Sequence, residues 1–288
     1  MTVPSPMSPT GDMLARIADD RRRAIDAMAA ATPAHVLRTR LGSARPAGRL
    51  ERALRRGAAG TGSPGGSPGG PKAAPLRLLC EFKRASPSKG VLNAGADPIA
   101  FATTYEAGGA AAISLVTEPH HFQGDLAWVA AVRAAVRLPI LLKDFMVDSY
   151  QLLDAAVRGA DGVLLIAALL SDVQLQRLIS EARLLGLDSL VEVHDADQLR
   201  KSILAGATLV GVNNRDLRTF VVDLETSLRL VPQVPSLVTA VAESGLSEPG
   251  DLARLAATRC DAVLIGEAFM TSADPARTLA TLAAAARG

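Results

Sequence analysis

Aromatic side chains make up only 3% of this chain of 288 residues, and there are just two cysteines, Cys80 and Cys260. So few aromatics argue against a β-sandwich, whose core leans on aromatic and β-branched pairs. The cysteines lie far apart with no CxxC pair, so neither a zinc site nor a disulfide framework is expected. They read as isolated core residues. The longest uninterrupted apolar run, Val163 to Leu170, falls far short of the roughly 20 residues that span a bilayer. The first ten residues are rich in Pro and Ser and lack an apolar stretch, so no signal peptide is expected. A net charge of +2 is too small to imply a nucleic-acid partner for the whole chain. These absences point to a reduced, cytoplasmic protein with no membrane partner.

What the chain does have is apolar residues, 49% of the total and mostly Ala, Leu and Val. That balance suits helices packed around a parallel sheet. The length suits one α/β barrel, about 250 residues plus additions. Residues 1–71 hold eleven arginines against five acids, which reads as a solvated amphipathic segment rather than an RNA- or membrane-binding one. Within it, residues 12–31 are expected to form a helix, with Leu14, Ile17, Ile25 and Met28 at near-helical spacing and Asp12 as its cap. Residues 33–56 suggest a second, basic helical stretch. The chain thus divides into an N-terminal helical extension (1–56), a flexible Gly/Ser/Pro linker (57–71) containing GSPGGSPGG, and a main domain (72–288).

From Leu76 onward, short apolar runs alternate with helical segments of roughly ten to fifteen residues, as βα units do. Eight runs read as strands: Leu76–Lys83, Ala111–Val116, Pro139–Lys143, Gly162–Ile166, Ser189–Val193, Leu209–Asn213, Leu237–Glu243 and Ala262–Ile265. Small-residue turns such as Gly159-Ala160-Asp161 introduce several of them. Continuous rather than alternating apolar strands indicate a parallel sheet covered on both faces. A doubly wound sheet would need a Gly-rich fingerprint after its first strand; Arg84 to Gly90 has none. The expected fold is therefore a (β/α)₈ TIM barrel with an N-terminal helical extension.

Active sites of such barrels lie at the C-terminal strand ends, and these ends are polar here. The first run carries Glu81 and ends in Lys83. The third ends in Lys143-Asp144, the fifth carries Glu192, and the sixth ends in Asn213-Asn214-Arg215. The seventh ends in Glu243-Ser244-Gly245 and the eighth in Gly266-Glu267. Any one such residue is more often structural; six strand ends converging with Lys, Glu and Asn indicate a ligand. Ser244, Gly245 and Gly266 offer backbone N–H groups to an anion after the last two strands, and Lys83 can add charge. The partner expected is a small phosphorylated molecule. His120 and His121 are adjacent and diverge, and His194 near Glu192 has no third ligand, so no metal is expected.

Eight motifs carry a resemblance: CEFKRASPSKG (80–90), LVTEPHHFQG (115–124), LPILLKDFMVDSYQ (138–151), GADGVLLIAALL (159–170), LVEVHDADQL (190–199), GVNNRDLRTFVVDLETS (211–227), AESGL (242–246) and VLIGEAFM (263–270). In order and spacing they resemble the indole-3-glycerol-phosphate synthases from about residue 76 to 275. The resemblance implies conversion of 1-(2-carboxyphenylamino)-1-deoxyribulose 5-phosphate into indole-3-glycerol phosphate, a step of tryptophan biosynthesis that needs no cofactor or metal. It implies Lys143 as general acid, its pKa lowered by partial burial. It implies Glu192 as general base, and Lys83 as second acid or carboxylate contact. Glu81 and Asn213 are implied as orienting groups. Ser86, Phe122, Phe145, Arg215 and Glu243 are implied in the substrate site, the two phenylalanines walling the anthranilate ring. The extension is similar to a helix that lies over the barrel mouth in this family. Two departures are Leu142, where a basic residue is common, and Cys80, where a small apolar one is. A monomer is the working expectation. Two alternatives stand beside this reading: a barrel like phosphoribosylanthranilate isomerase, which would use a cysteine–aspartate pair, and a non-catalytic scaffold using the basic extension.

Overall fold

The computed structural model describes the backbone of residues 9–42, 46–57, 74–216 and 219–287, and their side chains except those of residues 9–13 and 15. Eight parallel strands close into a barrel: β1 (Arg77–Phe82), β2 (Ala112–Val116), β3 (Ile140–Lys143), β4 (Gly162–Ile166), β5 (Asp188–Val193), β6 (Leu209–Asn213), β7 (Thr239–Glu243) and β8 (Ala262–Ile265). Each strand pairs with the next in sequence, and β8 closes on β1 with Cys80 opposite Ile265. The (β/α)₈ barrel read from the sequence is therefore the fold. The expected runs match the strands to within one or two residues at either end.

Strand parity decides what faces inward. Leu79, Leu141, Leu164, Leu190, Leu209, Val241 and Leu264 fill the barrel interior. The residues two positions further along from several of these, Glu81, Lys143, Glu192 and Glu243, point inward at the mouth by the same alternation. The opposite parity, including Cys80, Phe82, Val163, Val191 and Val263, packs outward against the helices as the main core. Two barrel helices begin where the sequence supplies an N-cap: Asp148 and Ser171 form capping boxes for α4 (Ser149–Arg158) and α5 (Asp172–Leu184). Gly159 ends α4 with φ near +89°, a left-handed cap that glycine adopts without strain.

The extension departs from its expected form. Its first helix, α1 (Pro9–Ala31), starts three residues before Asp12, so Asp12 lies in the first turn and is not the cap. The expected second stretch is two short helices, α2 (Ala34–Arg40) and α3 (Arg49–Leu54). They serve opposite ends of the barrel. α1 and α2 pack beside α4 through Ala18, Ile25, Leu37, Val147, Tyr150 and Leu153. α3 inserts Leu50 and Leu54, both fully buried, into the foot of the barrel. Residues 58–73, which hold most of the expected linker, lie outside the described residues. Among the described residues, no helix is long and apolar enough to cross a membrane.

Candidate active site

A cavity of about 690 Å³ opens at the C-terminal ends of the strands. It brings together almost every residue singled out in the sequence: Glu81, Lys83, Ser86, Phe122, Lys143, Phe145, Glu192, Asn213, Arg215, Ser244, Gly245 and Gly266 all line it. Glu243 does not; it lies fully buried beside Lys143.

The floor is a network of lysines and buried carboxyl groups. Lys83 Nζ donates to Glu81 Oε1 at 2.7 Å, and Lys143 Nζ lies 3.3 Å from Glu81 Oε2 and 3.8 Å from Glu243 Oε2. Burial raises the cost of charging Glu81, yet the Lys143 and Lys83 ammoniums hold its carboxyl down at about 2. Burial disfavours the Lys143 ammonium as well, but the fields of Glu81, Glu243 and Glu192 outweigh it and push its pKa well above the usual lysine range. The expectation of a lowered lysine pKa is thus overturned: three carboxylates outweigh one desolvation. Burial and the Glu192 carboxylate push Glu243 up to about 8, against the pull of Lys143. Both Glu243 carboxylate oxygens are buried without a hydrogen bond.

Two glycines make room for these acids. A Cβ on Gly211 would sit 1.8 Å from Glu243 Oε1, and one on Gly266 would sit 2.6 Å from Glu81 Oε1. Gly266 was singled out in the sequence as an anion contact; the space its missing side chain leaves also admits Glu81. At the end of β7, Ser244 and Gly245 both take positive φ, +69° and +71°, so two successive N–H groups lie in a tight turn at the cavity rim. Strain at the serine is of the kind concentrated at functional sites.

Asn213 Oδ1 accepts from the Arg215 N–H at 2.9 Å, which fixes the carboxamide. Arg215 donates to Ser88 Oγ at 3.1 Å and so ties the loop after β6 to the loop after β1. That first loop contains a two-residue-per-strand hairpin, Ala85–Ser86 with Gly90–Val91, too short to be read from sequence. Phe122 and Phe145 meet with ring centroids 6.0 Å apart and wall one side. The turn carrying Phe122 is held by buried Glu118, which accepts from the N–H groups of His120, His121 and Phe122.

Leu14 and Ile17 of α1 also line the cavity. Arg21, one turn further along, is buried and donates to Asp144 Oδ2 at 2.8 Å. Sequence reasoning missed this arginine, which was one of eleven in a segment read as solvated. The signal was its position: Leu14, Ile17, Ala18, Arg21 and Ile25 fall on one helical face, so Arg21 interrupts an apolar stripe.

Cys80 faces the outer core, away from the cavity, and burial pushes its thiol far up. It is a poor acid–base group, so the isomerase-like reading loses its cysteine. The scaffold reading loses part of its basic surface, because Arg21, Arg49, Arg55 and Arg56 are bonded to the barrel. His194 Nε2 lies 3.6 Å from Glu192 Oε1.

Comparison with known proteins decides among these readings. The profile of the family described as indole-3-glycerol phosphate synthase matches residues 14–282. This chain belongs to that family. Relatives named indole-3-glycerol phosphate synthase come from Sulfurimonas denitrificans, 48% identical over 72% of this chain and 79% of the relative, and from Streptomyces coelicolor, 49% identical over 73% and 78%. Among solved structures, 3-hexulose-6-phosphate synthase from Salmonella typhimurium aligns with a TM-score of 0.60 at 16% identity, covering 73% of this chain and 98% of that one. At that identity it speaks for the barrel alone. The family match begins at residue 14, so it includes α1 as well as the barrel.

Proposed function

We propose that Lys143, Glu192 and Lys83 carry out the family's reaction on 1-(2-carboxyphenylamino)-1-deoxyribulose 5-phosphate. The chain is a carboxy-lyase, an indole-3-glycerol-phosphate synthase of tryptophan biosynthesis. The observation that carries the assignment of roles is the cavity floor: two ammoniums, each within 3.3 Å of Glu81, share one cavity with Glu192.

Ring closure joins the aromatic carbon bearing the carboxylate to the ketose carbonyl carbon, and the carbonyl oxygen gains a proton. Lys143 supplies it. With its pKa held high, the ammonium is fully protonated at neutral pH and also stabilises the developing alkoxide. Carbon dioxide then leaves and its bonding pair returns to the ring. In the last step the new hydroxyl departs as water, assisted by the Lys83 ammonium, while Glu192 takes the proton lost from the ring system. Glu81 orients both lysines, and Glu243 holds Lys143 from the other side. Asn213 and Arg215 meet the sugar hydroxyls and the carboxylate. The phosphate rests on the N–H groups at Ser244, Gly245 and Gly266, with Ser86 from the first loop. Phe122, Phe145, Leu14 and Ile17 enclose the aromatic ring. On this reading the reaction runs on side chains alone, without cofactor or metal.

The extension (1–56), linker (57–71) and barrel (72–288) act as one enzyme, a cytoplasmic monomer that engages a small phosphorylated substrate and no nucleic acid. The test is to mix purified protein with the carboxyphenylamino-deoxyribulose phosphate and follow indole fluorescence. Product is expected from the parent, with a loss of roughly a hundredfold or more in Lys143→Ala. No product from folded parent protein would overturn the assignment.

A further inference from the structure

The stripe that α1 turns toward the barrel is apolar except at Arg21. Ile17, Ala18 and Ile25 are buried on either side of it, and Arg21 itself is 2% exposed. A guanidinium in that setting is costly unless a fixed anion meets it. The anion is Asp144, whose Oδ2 accepts from Arg21 at 2.8 Å and from Thr117 Oγ1 at 3.1 Å, while its Oδ1 accepts from the Phe145 N–H at 2.8 Å. Asp144 follows Lys143 directly and precedes Phe145, both of which line the cavity. The same helix face carries Leu14 and Ile17 into that cavity, two turns and one turn before Arg21. One ion pair therefore fixes two things at once: the apolar roof supplied by α1 and the strand end that presents Lys143 and Phe145.

We infer that Arg21 is a positioning residue, and that its pair with Asp144 is the latch through which α1 sets substrate affinity. The inference rests on the proposed reaction for its assay. Substrate contact with Leu14 and Ile17 is made in the ground state and kept through the reaction, so loosening the roof acts on KM more than on kcat. An uncompensated Asp144 would stay buried in Arg21→Leu at a cost in stability, and removing that charge as well relieves that cost without restoring the pair.

Steady-state indole formation by the parent, Arg21→Leu and the double variant Arg21→Leu/Asp144→Asn tests this. Arg21→Leu and the double variant are both expected to raise KM about tenfold with kcat within about threefold, because neither keeps the pair, while the double variant unfolds at a higher urea concentration than Arg21→Leu. An unchanged KM in Arg21→Leu overturns the latch, as does a KM that returns to the parent's value in the double variant, which has no ion pair. If Arg21→Leu does not fold, Arg21→Lys keeps the charge but loses the planar fork, with about a threefold rise in KM expected; an unchanged KM there overturns the latch too. An inactive parent would instead sink the proposed reaction.

Discussion

Asp161, Asp188 and Asp261 at the foot of the barrel, and Glu81, Glu192 and Glu243 at its mouth, are all buried carboxylates on or beside strands, yet their partners differ in kind. Asp188 accepts from the N–H groups of Gly48, Leu50 and Glu51 at 2.5, 2.8 and 3.0 Å and so caps α3. Asp161 accepts from the Ile140 N–H and from Arg49 and Arg133, and Asp261 from the N–H groups of Ala240 and Arg56. Each acid at the foot accepts from at least one fixed backbone N–H, and arginines add to this at Asp161. At the mouth, Glu81 relies on two lysine ammoniums, and both Glu243 oxygens lack a hydrogen bond. The acids at the foot hold the folded chain together; on the proposed reaction those at the mouth serve the substrate. A charge at a strand start and a charge at a strand end thus have different physical meanings.

The largest effect that could break this comparison is at the foot. Asp188→Ala strips the acceptor from three N–H groups, and urea unfolding should show a loss of about 3 kcal/mol, since buried donors left without partners each cost about 1–3 kcal/mol. Its KM should stay within twofold. A smaller effect is expected from Gly211→Ala, whose new Cβ would collide with Glu243 Oε1. Displacing that carboxylate from Lys143 should lower kcat on the order of tenfold, read from initial rates. The smallest is a slope. Burial, then Glu192, raises the Glu243 carboxyl to about 8 from an unfolded value near 4.5. Between those values the folded state holds more protons than the unfolded one, so stability falls as pH rises from about 4.5 to 8. Glu243→Gln should flatten that decline in denaturation midpoints taken across this range. Glu81 slopes the other way: its carboxyl, held at about 2, contributes stability above about 4.5 that is lost toward pH 2.

Much of the barrel was legible because the alternation of short apolar runs with helical segments is a local property of the sequence. Gly162–Ile166, Leu209–Asn213 and Ala262–Ile265 have the same limits in the sequence pattern and in the structure. Parity also carried Glu81, Lys143 and Glu192 to one cavity, two residues beyond Leu79, Leu141 and Leu190. What stayed hidden was long-range. The split of residues 33–56 into α2 and α3, and the placing of α3 at the foot, depends on Asp188, more than a hundred residues away. The role of Arg21 depends on Asp144, which nothing near it in sequence announces. The direction of the Lys143 shift depends on three acids from β1, β5 and β7, and burial alone gives the wrong sign.

The division between foot and mouth is tested most directly by Glu192→Gln, with indole formation and urea unfolding measured on the same protein. Removing one carboxylate from a crowded acidic cluster should leave stability unchanged or raised, while the rate falls roughly a hundredfold or more. A variant that keeps its rate, or loses stability as Asp188→Ala is expected to, would contradict the account.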